Sequence, residues 1–259
     1  MIDIHHHCLP GVDDGPRDLE EAADLCRLAA ADGIETIIAT PHVLRGRWQN
    51  TSRALLEEKL AALQDAVGRS PRLILGSEYY FAHDMNESLQ NGTIVPLADS
   101  RYVLVELASH AVPPLVQQPL YQARLGGWTA VIAHPERNLV FQSKPEMLAS
   151  LVANGTKTQI TAASLLGDFG PDARQCATDW IRRGMVHFVA SDAHNRAKRP
   201  PRMTEAAEVV REIAGDDVAD ALTRRNPAAV LENQGLEYDP EPQAAPKRGV
   251  LDRLARFWK

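Results

Sequence analysis

Cysteine is scarce in this sequence. Only Cys8, Cys26 and Cys176 occur in 259 residues, far apart and without a CxxC pair, which excludes a disulfide framework and a zinc knuckle and suits a reducing compartment. No apolar run approaches the ~18 residues that a membrane span requires. The first residues, MIDIHHHCLPGVDDGP, show no basic segment followed by an apolar one, unlike an export signal. A cytoplasmic protein is expected. Surplus positive charge is also missing: the net charge is −6, whereas general nucleic-acid binders carry excess Lys and Arg to neutralise phosphates. No period of about 20 to 50 residues recurs, which excludes a solenoid or a propeller.

What is present is ordinary globular material, 44% hydrophobic and 24% charged. The length is that of one (β/α) barrel or of two small domains, and a single core of this size buries roughly 75% of the unfolded surface. The charge is unevenly spread. In residues 246–259, Lys247, Arg248, Arg253, Arg256 and Lys259 stand against Asp252 alone, so this segment is +4 and the remainder −10. The preceding LEYDPEPQAAP reads as a linker, which divides the chain into a domain at 1–235, a linker at 236–246 and a tail at 247–259. Within the tail, Val250, Leu251, Leu254, Phe257 and Trp258 recur at helical spacing opposite the basic residues. A short basic amphipathic helix is expected there, contacting anionic lipid, an acidic partner surface or the domain itself.

Strand-like and helix-like runs alternate through the body. Strands are predicted at 1–7, 36–40, 72–77, 102–107, 128–133, 158–161 and 186–191, and helices at 19–31, 52–67, 85–91, 115–125, 145–153, 172–183 and 203–214. Such alternation predicts parallel βαβ units, closed as a barrel or open as a doubly wound sheet. The placement of polar residues separates the two. His5 and His7 end the first strand, His42 follows the second, and Glu78, Glu106 and His134 end the next three. Asp192 and His194 close the seventh. A barrel gathers these ends on one rim, whereas an open sheet spreads them apart. Strand alternation turns His5 and His7 to one side and Ile2, Ile4 and His6 to the other. A lone His or acid at a strand end is ordinarily a hydrogen-bonded structural group or a helix cap. Eight of them at six strand ends would repel or go unpaired without cations.

The wording of these segments is distinctive as well. IDIHHHCLPGVDDGP, ATPHV, GSEYY, the Glu106 strand end, AHPERN and ASDAHN followed by RPP resemble, in order and spacing, the bacterial PHP-domain phosphoesterases. The nearest match is the manganese-dependent protein-tyrosine phosphatases of capsule and exopolysaccharide clusters, the CpsB/CapC type. The resemblance covers residues 1 to about 233, and although HxH alone is weak, its combination with GVDDGP, HPER and SDAHN is highly specific. It implies an α/β fold, a distorted, TIM-barrel-like, seven-stranded (β/α) barrel holding three divalent ions. By the resemblance one ion takes His5, His7, Glu78 and Asp192, a second Glu78, Glu106 and His134, and a third Asp14, His42 and His194. Asp14 enters only through the resemblance, because GVDDG reads as a loop. His6 stands where the family more often has Ser, and alternation keeps it out of the site.

Imidazoles and carboxylates without thiolate suit Mn²⁺, and equally Fe²⁺, Zn²⁺ or Mg²⁺, rather than copper or an iron–sulfur cluster. Two cations sharing Glu78 would activate a bridging hydroxide for in-line attack on phosphorus, and a third would hold leaving-group charge. A phosphate monoester carries about two negative charges at neutral pH, so a further donor is expected. Arg137 in HPERN and Arg199 before Pro200 are the candidates, since a guanidinium fork matches phosphate oxygens, with Glu136 and Asn138 expected to steady Arg137. His83, His110 and His187 match no ligand position, and His187 reads as a core histidine in mid-strand. Tyr79, Tyr80 and Phe81 read as packing. Cys8 lacks the CxxxxxR loop of a thiol phosphatase.

The expected function is hydrolysis of phosphotyrosine on a tyrosine kinase of polysaccharide assembly, in the cytoplasm, with the tail touching the inner face of the membrane. The alternatives are a small-molecule PHP phosphatase acting on histidinol phosphate and a non-catalytic regulator binding the kinase or the membrane. GVDDGP and HPER argue against the first, the complete ligand set against the second. The acidic body argues against a nuclease.

Overall fold

Two parallel sheets carry the architecture of the computed structural model, which describes residues 1–243; the predicted tail helix at 247–259 lies outside them. The strand segments are β1 (Ile2–His6), β2 (Thr36–Ala39), β3 (His42–Val43), β4 (Arg72–Leu75), β5 (Glu78–Tyr80), β6 (Tyr102–Glu106), β7 (Thr129–Ala133), β8 (Lys157–Thr161) and β9 (Phe188–Ala190). One sheet has the order β1-β2-β4 and the other β3-β5-β6-β7-β8-β9, every pair parallel.

Nine segments therefore stand among the described residues where the sequence predicts seven strands. The predicted strand at 36–40 breaks after Ala39 and resumes at His42, because Pro41 offers no N–H to a ladder. The strand predicted at 72–77 breaks at Gly76, where an added Cβ would lie 2.8 Å from Ile38 Cγ2 and 3.1 Å from Leu97 Cδ2. Only glycine lets the chain pass there. Each break carries the chain from one sheet into the other, and Gly76 N donates to Ala39 O at 2.9 Å while Glu78 N donates to Pro41 O at 3.0 Å. At the far side, Asp192 N donates to His5 O at 2.8 Å and His7 N to Ala193 O at 2.9 Å, joining the end of β1 to the chain after β9.

Alternation along the strands fills two layers. Ile4, Ile38, Tyr102, Leu104, Val131 and Phe188 pack in one cluster, and the intervening Val103, Val105 and Ile132 pack with helix residues such as Leu120 and Leu148 in the other. Strands buried on both faces are the signature of parallel sheets covered by helices, and each such side chain contributes roughly 1.5–3 kcal/mol when fully buried. β1 departs from simple alternation. Its register against β2 slips between Asp3 and His6, so Ile4 joins the inner cluster while the adjacent His5 still reaches Glu78, its Nε2 lying 3.4 Å from Oε1. The extra residue of such a bulge re-aims the side chains that follow it.

Helix Leu19–Ala31 starts at Asp18, whose side chain accepts from Glu21 N at 2.9 Å. The sequence reading stops at 214, yet Asp216–Asp220, Ala221–Arg225 and Asn226–Leu231 are also helical. The last predicted strand shrinks to Phe188–Ala190, so His187 precedes it rather than lying in mid-strand. His187 is buried as expected, its Nδ1 accepting from Thr158 N at 3.2 Å, and burial lowers its pKa.

Part of the segment read as a linker rests on the domain. Asn226 Nδ2 donates to Tyr238 O at 2.7 Å, Lys157 Nζ lies 2.6 Å from Asp239 Oδ2, and Gln243 N donates to Arg183 O at 2.8 Å. Asp239→Ala is expected to accelerate amide exchange at Tyr238 and Gln243 while lowering stability by no more than about 1 kcal/mol, the scale of a half-exposed ion pair. Unchanged exchange would show that the pair does not hold this segment.

Candidate metal centre

β1 delivers two imidazoles whose protonation is fixed from behind. His5 Nδ1 faces Gln159 Oε1 on β8 at 2.9 Å, and His7 Nδ1 faces Asp13 Oδ2 at 2.8 Å. Both partners accept, so each Nδ1 carries a proton and each Nε2 is left to face the centre. These two Nε2 atoms lie 3.1 Å apart, an arrangement that calls for a shared cation or proton. Burial alone would lower the pKa of His5, but the carboxylates of Glu78 and Asp192 outweigh it and raise the value to about 9.

Glu78, the first residue of β5, is fully buried among imidazoles. One oxygen lies 2.9 Å from His134 Nε2, and the other lies 2.7 Å from His42 Nδ1 and 3.4 Å from His7 Nε2. Burial would raise its pKa; His5 and His42 overcome that and hold it well below the usual carboxylate range. His42 on β3 is pushed up to about 10 by the same pairing, against the opposing effect of burial. Glu106, at the end of β6, goes the other way. Its burial and the neighbouring Glu78 raise it to about 7, with Arg45 Nε at 2.9 Å opposing.

The remaining ligand candidates sit on turns. His134 and Asp192 adopt positive φ, 35° and 53°, just beyond β7 and β9. Asp192 Oδ1 lies 3.4 Å from His5 Nε2, and its Oδ2 accepts from Arg137 Nη1 at 2.6 Å and Arg199 Nη2 at 2.5 Å. Asp14 Oδ1 lies 3.3 Å from both His42 Nε2 and His194 Nε2. Its loop needs glycine: a Cβ on Gly15 would fall 2.3 Å from His7 O.

All nine predicted ligands thus converge. Among the described residues they form four groups with ligand atoms within 4.8 Å of one another: His7, Asp14, His42 and His194; His5, His134 and Asp192; His5, His7 and Glu78; and His42, Glu78 and Glu106. His6 belongs to none of these, is fully buried with neither ring nitrogen hydrogen-bonded, and is held neutral by burial with a pKa of about 3. Divalent cations fit this donor set. Buried Glu78 Oε2, Glu106 Oε2, His42 Nδ1 and His194 Nε2 sit close to charged neighbours without forming a hydrogen bond, a cost of about 1–3 kcal/mol apiece that coordination removes.

Both predicted arginines reach the centre, but not by the expected supports. Glu136 accepts from Thr161 N at 3.0 Å and Ser164 Oγ at 2.6 Å, and Asn138 caps helix Leu139–Ser143. Arg137 is instead held by Asp192 and by stacking over Phe169, 4.2 Å from the ring centroid. Tyr79 packs as expected, fully buried, whereas Tyr80 and the exposed His110 line a cleft of about 540 Å³ with Arg45, Glu106, His134 and Arg137. Sequence reading missed Asp13, Gln159, Arg45 and Phe169. Asp13 alone left a trace, as the twin of Asp14 in GVDDGP.

The profile of the capsular polysaccharide synthesis family CpsB/CapC matches residues 1–232. The chain belongs to this family. Among CpsB/CapC relatives, the tyrosine-protein phosphatase YwqE of Bacillus subtilis (strain 168) is 35% identical over 253 residues, spanning 97% of this chain and 99% of the relative. The tyrosine-protein phosphatase CpsB of Streptococcus pneumoniae is 31% identical over 241 residues, spanning 90% and 99%. A crystal structure from work on YwqE and CpsB, described as metal-dependent tyrosine phosphatases, superposes with a TM-score of 0.91 at 34% identity, covering 95% of this chain and 100% of the other. The chain thus has a mixed α/β fold with parallel sheets, and the described residues carry His, Asp and Glu clusters that could bind metal.

Proposed function

We propose that this chain is a metal-dependent protein-tyrosine phosphatase acting on a tyrosine kinase of capsular or exopolysaccharide assembly. The reading rests on one observation: nine imidazole and carboxylate side chains converge beside a cleft that Arg137 also lines. Three divalent ions, Mn²⁺ foremost, would be held by His5, His7, Glu78 and Asp192, by Glu78, Glu106 and His134, and by Asp14, His42 and His194. Bound there, the ions supply a water-derived nucleophile at neutral pH and neutralise phosphoryl charge.

The chain's own residues do the rest. Gln159 and Asp13 keep the Nε2 lone pairs of His5 and His7 turned inward. Asp192 steadies Arg137 and Arg199, whose remaining N–H groups grip phosphoryl oxygens. The two sheets close into a distorted barrel, with β2–β3 and β4–β5 as broken staves that bring nine segments to seven. The hydrogen bonds from Asp192 N to His5 O and from His7 N to Ala193 O support this closure. The domain at 1–235 carries the chemistry in the cytoplasm, and the basic tail at 247–259 holds it at the inner face of the membrane near its kinase. Among the described residues no helix is long and apolar enough to cross a membrane.

Metal-stripped protein reconstituted separately with Mn²⁺, Fe²⁺, Zn²⁺ and Mg²⁺ and given a phosphotyrosine peptide, a phosphoserine peptide and histidinol phosphate provides the test. Turnover should return with Mn²⁺ and favour the phosphotyrosine peptide. Faster hydrolysis of histidinol phosphate, or full activity without metal, would overturn the reading.

A further inference from the structure

We infer that Arg45 is a third phosphate-binding guanidinium, facing the substrate phosphoryl group together with Arg137; this rests on the phosphatase reading above. Arg45 is carried by a tight turn. Arg45 N donates to Trp48 O at 2.9 Å and Trp48 N to Arg45 O at 3.0 Å, closing a loop with Gly46 and Arg47 at its tip. Gly46 takes φ 56°, a conformation that glycine adopts without penalty. Asn50 Nδ2 ties the turn down by donating to Val12 O at 3.0 Å and His42 O at 2.8 Å. Trp48 stacks on His42 with centroids 5.4 Å apart and planes 22° apart, and the Arg45 guanidinium lies 5.9 Å from the Trp48 ring centroid. The turn is therefore fixed against the metal centre.

The contacts of Arg45 follow the pattern of the two arginines already assigned to phosphate. Its Nε lies 2.9 Å from Glu106 Oε2 and its Nη1 2.6 Å from His42 Nε2, just as Arg137 and Arg199 rest on Asp192. Each guanidinium leans on a ligand candidate at the rim. The Glu106 contact is an ion pair without a hydrogen bond, and the single lone pair of His42 Nε2 would pass to an ion, so the guanidinium keeps its N–H donors for an anion. Arg45 and Arg137 line the same cleft, and Arg45 remains 34% exposed. Location adds a reason. With −10 on residues 1–245, a phosphate dianion approaching this domain needs a local positive field, and Arg45 supplies it in the cleft that Arg137 also lines.

The test uses full-length, metal-loaded protein with Arg45→Ala and Arg45→Lys. Calorimetric binding of inorganic phosphate, metal content and steady-state hydrolysis of an aryl phosphate are measured in parallel. Arg45→Ala should keep its metal and weaken phosphate binding by roughly 10- to 100-fold, the scale of a lost charged hydrogen bond, with KM rising alongside. Arg45→Lys should recover part of this, since a point charge replaces a fork, and it decides the matter if the alanine variant misfolds. Unchanged phosphate affinity would overturn the inference, as would loss of metal, which would make Arg45 a positioning residue for His42 and Glu106. Wild-type protein that binds phosphate but fails to hydrolyse phosphotyrosine sinks the phosphatase reading and leaves this comparison standing.

Discussion

Glu78→Ala is expected to lower kcat by about three orders of magnitude or more, the scale seen when one member of a catalytic unit is removed. Glu78 has this weight because its two oxygens lie within 3.4 Å of His5, His7, His42 and His134. Among the described residues no other carboxylate lies this close to four imidazoles. Its removal also takes away a charge that raises His5 and His42, so His5 and His7, whose Nε2 atoms lie 3.1 Å apart, keep only Asp192 as a common counter-ion. Metal content should fall with turnover, while circular dichroism and the apolar core stay as in the wild type, since Ile4, Leu104 and Val131 are untouched. Near-normal kcat in folded Glu78→Ala would remove Glu78 from the centre.

Arg137→Ala should reduce kcat/KM by roughly 10²- to 10³-fold with metal content retained, as expected for a donor that meets developing phosphoryl charge. Arg137 holds no ligand position; it donates to Asp192 Oδ2 and stacks on Phe169. Lysine should rescue poorly, since it loses both the fork and the stack. Arg199 shares Asp192 Oδ2, so the double variant should depart from additivity. Metal loss in Arg137→Ala would give Arg137 a structural role instead.

The positions legible in the sequence are those that periodicity or motif order governs. Val- and Ile-rich runs alternating with helical spacing located seven of the nine strands, β3 and β5 lying just past the predicted runs, and polar residues at strand ends pointed to His5, His7, His42, Glu78, Glu106, His134, Asp192 and His194. Asp14 needed the family motif, because nothing in GVDDG says where a loop turns its side chains. Gln159 and Asp13 were out of reach for a different reason. Their task is to face another residue's Nδ1, 154 positions away for Gln159 and 6 for Asp13, and such pairing is a product of tertiary placement. Arg45 carries no motif signal, and only the turn that folds it back on His42 brings it to the centre. The break at Gly76 was not legible, because it depends on packing against Ile38 and Leu97.

The left-handed backbone at His134 and Asp192 limits how this rim can diversify. Residues other than Gly, Asn, Asp and His enter that region only rarely, at a cost of about 1–3 kcal/mol. Glu at 192 or Cys at 134 would therefore meet a conformational barrier before any question of coordination arose. His42 and Glu78, borne on extended strands, carry no such restriction. A lineage acquiring a new metal preference or reaction would find its first viable changes at the strand-borne ligands, with positions 134 and 192 changing last.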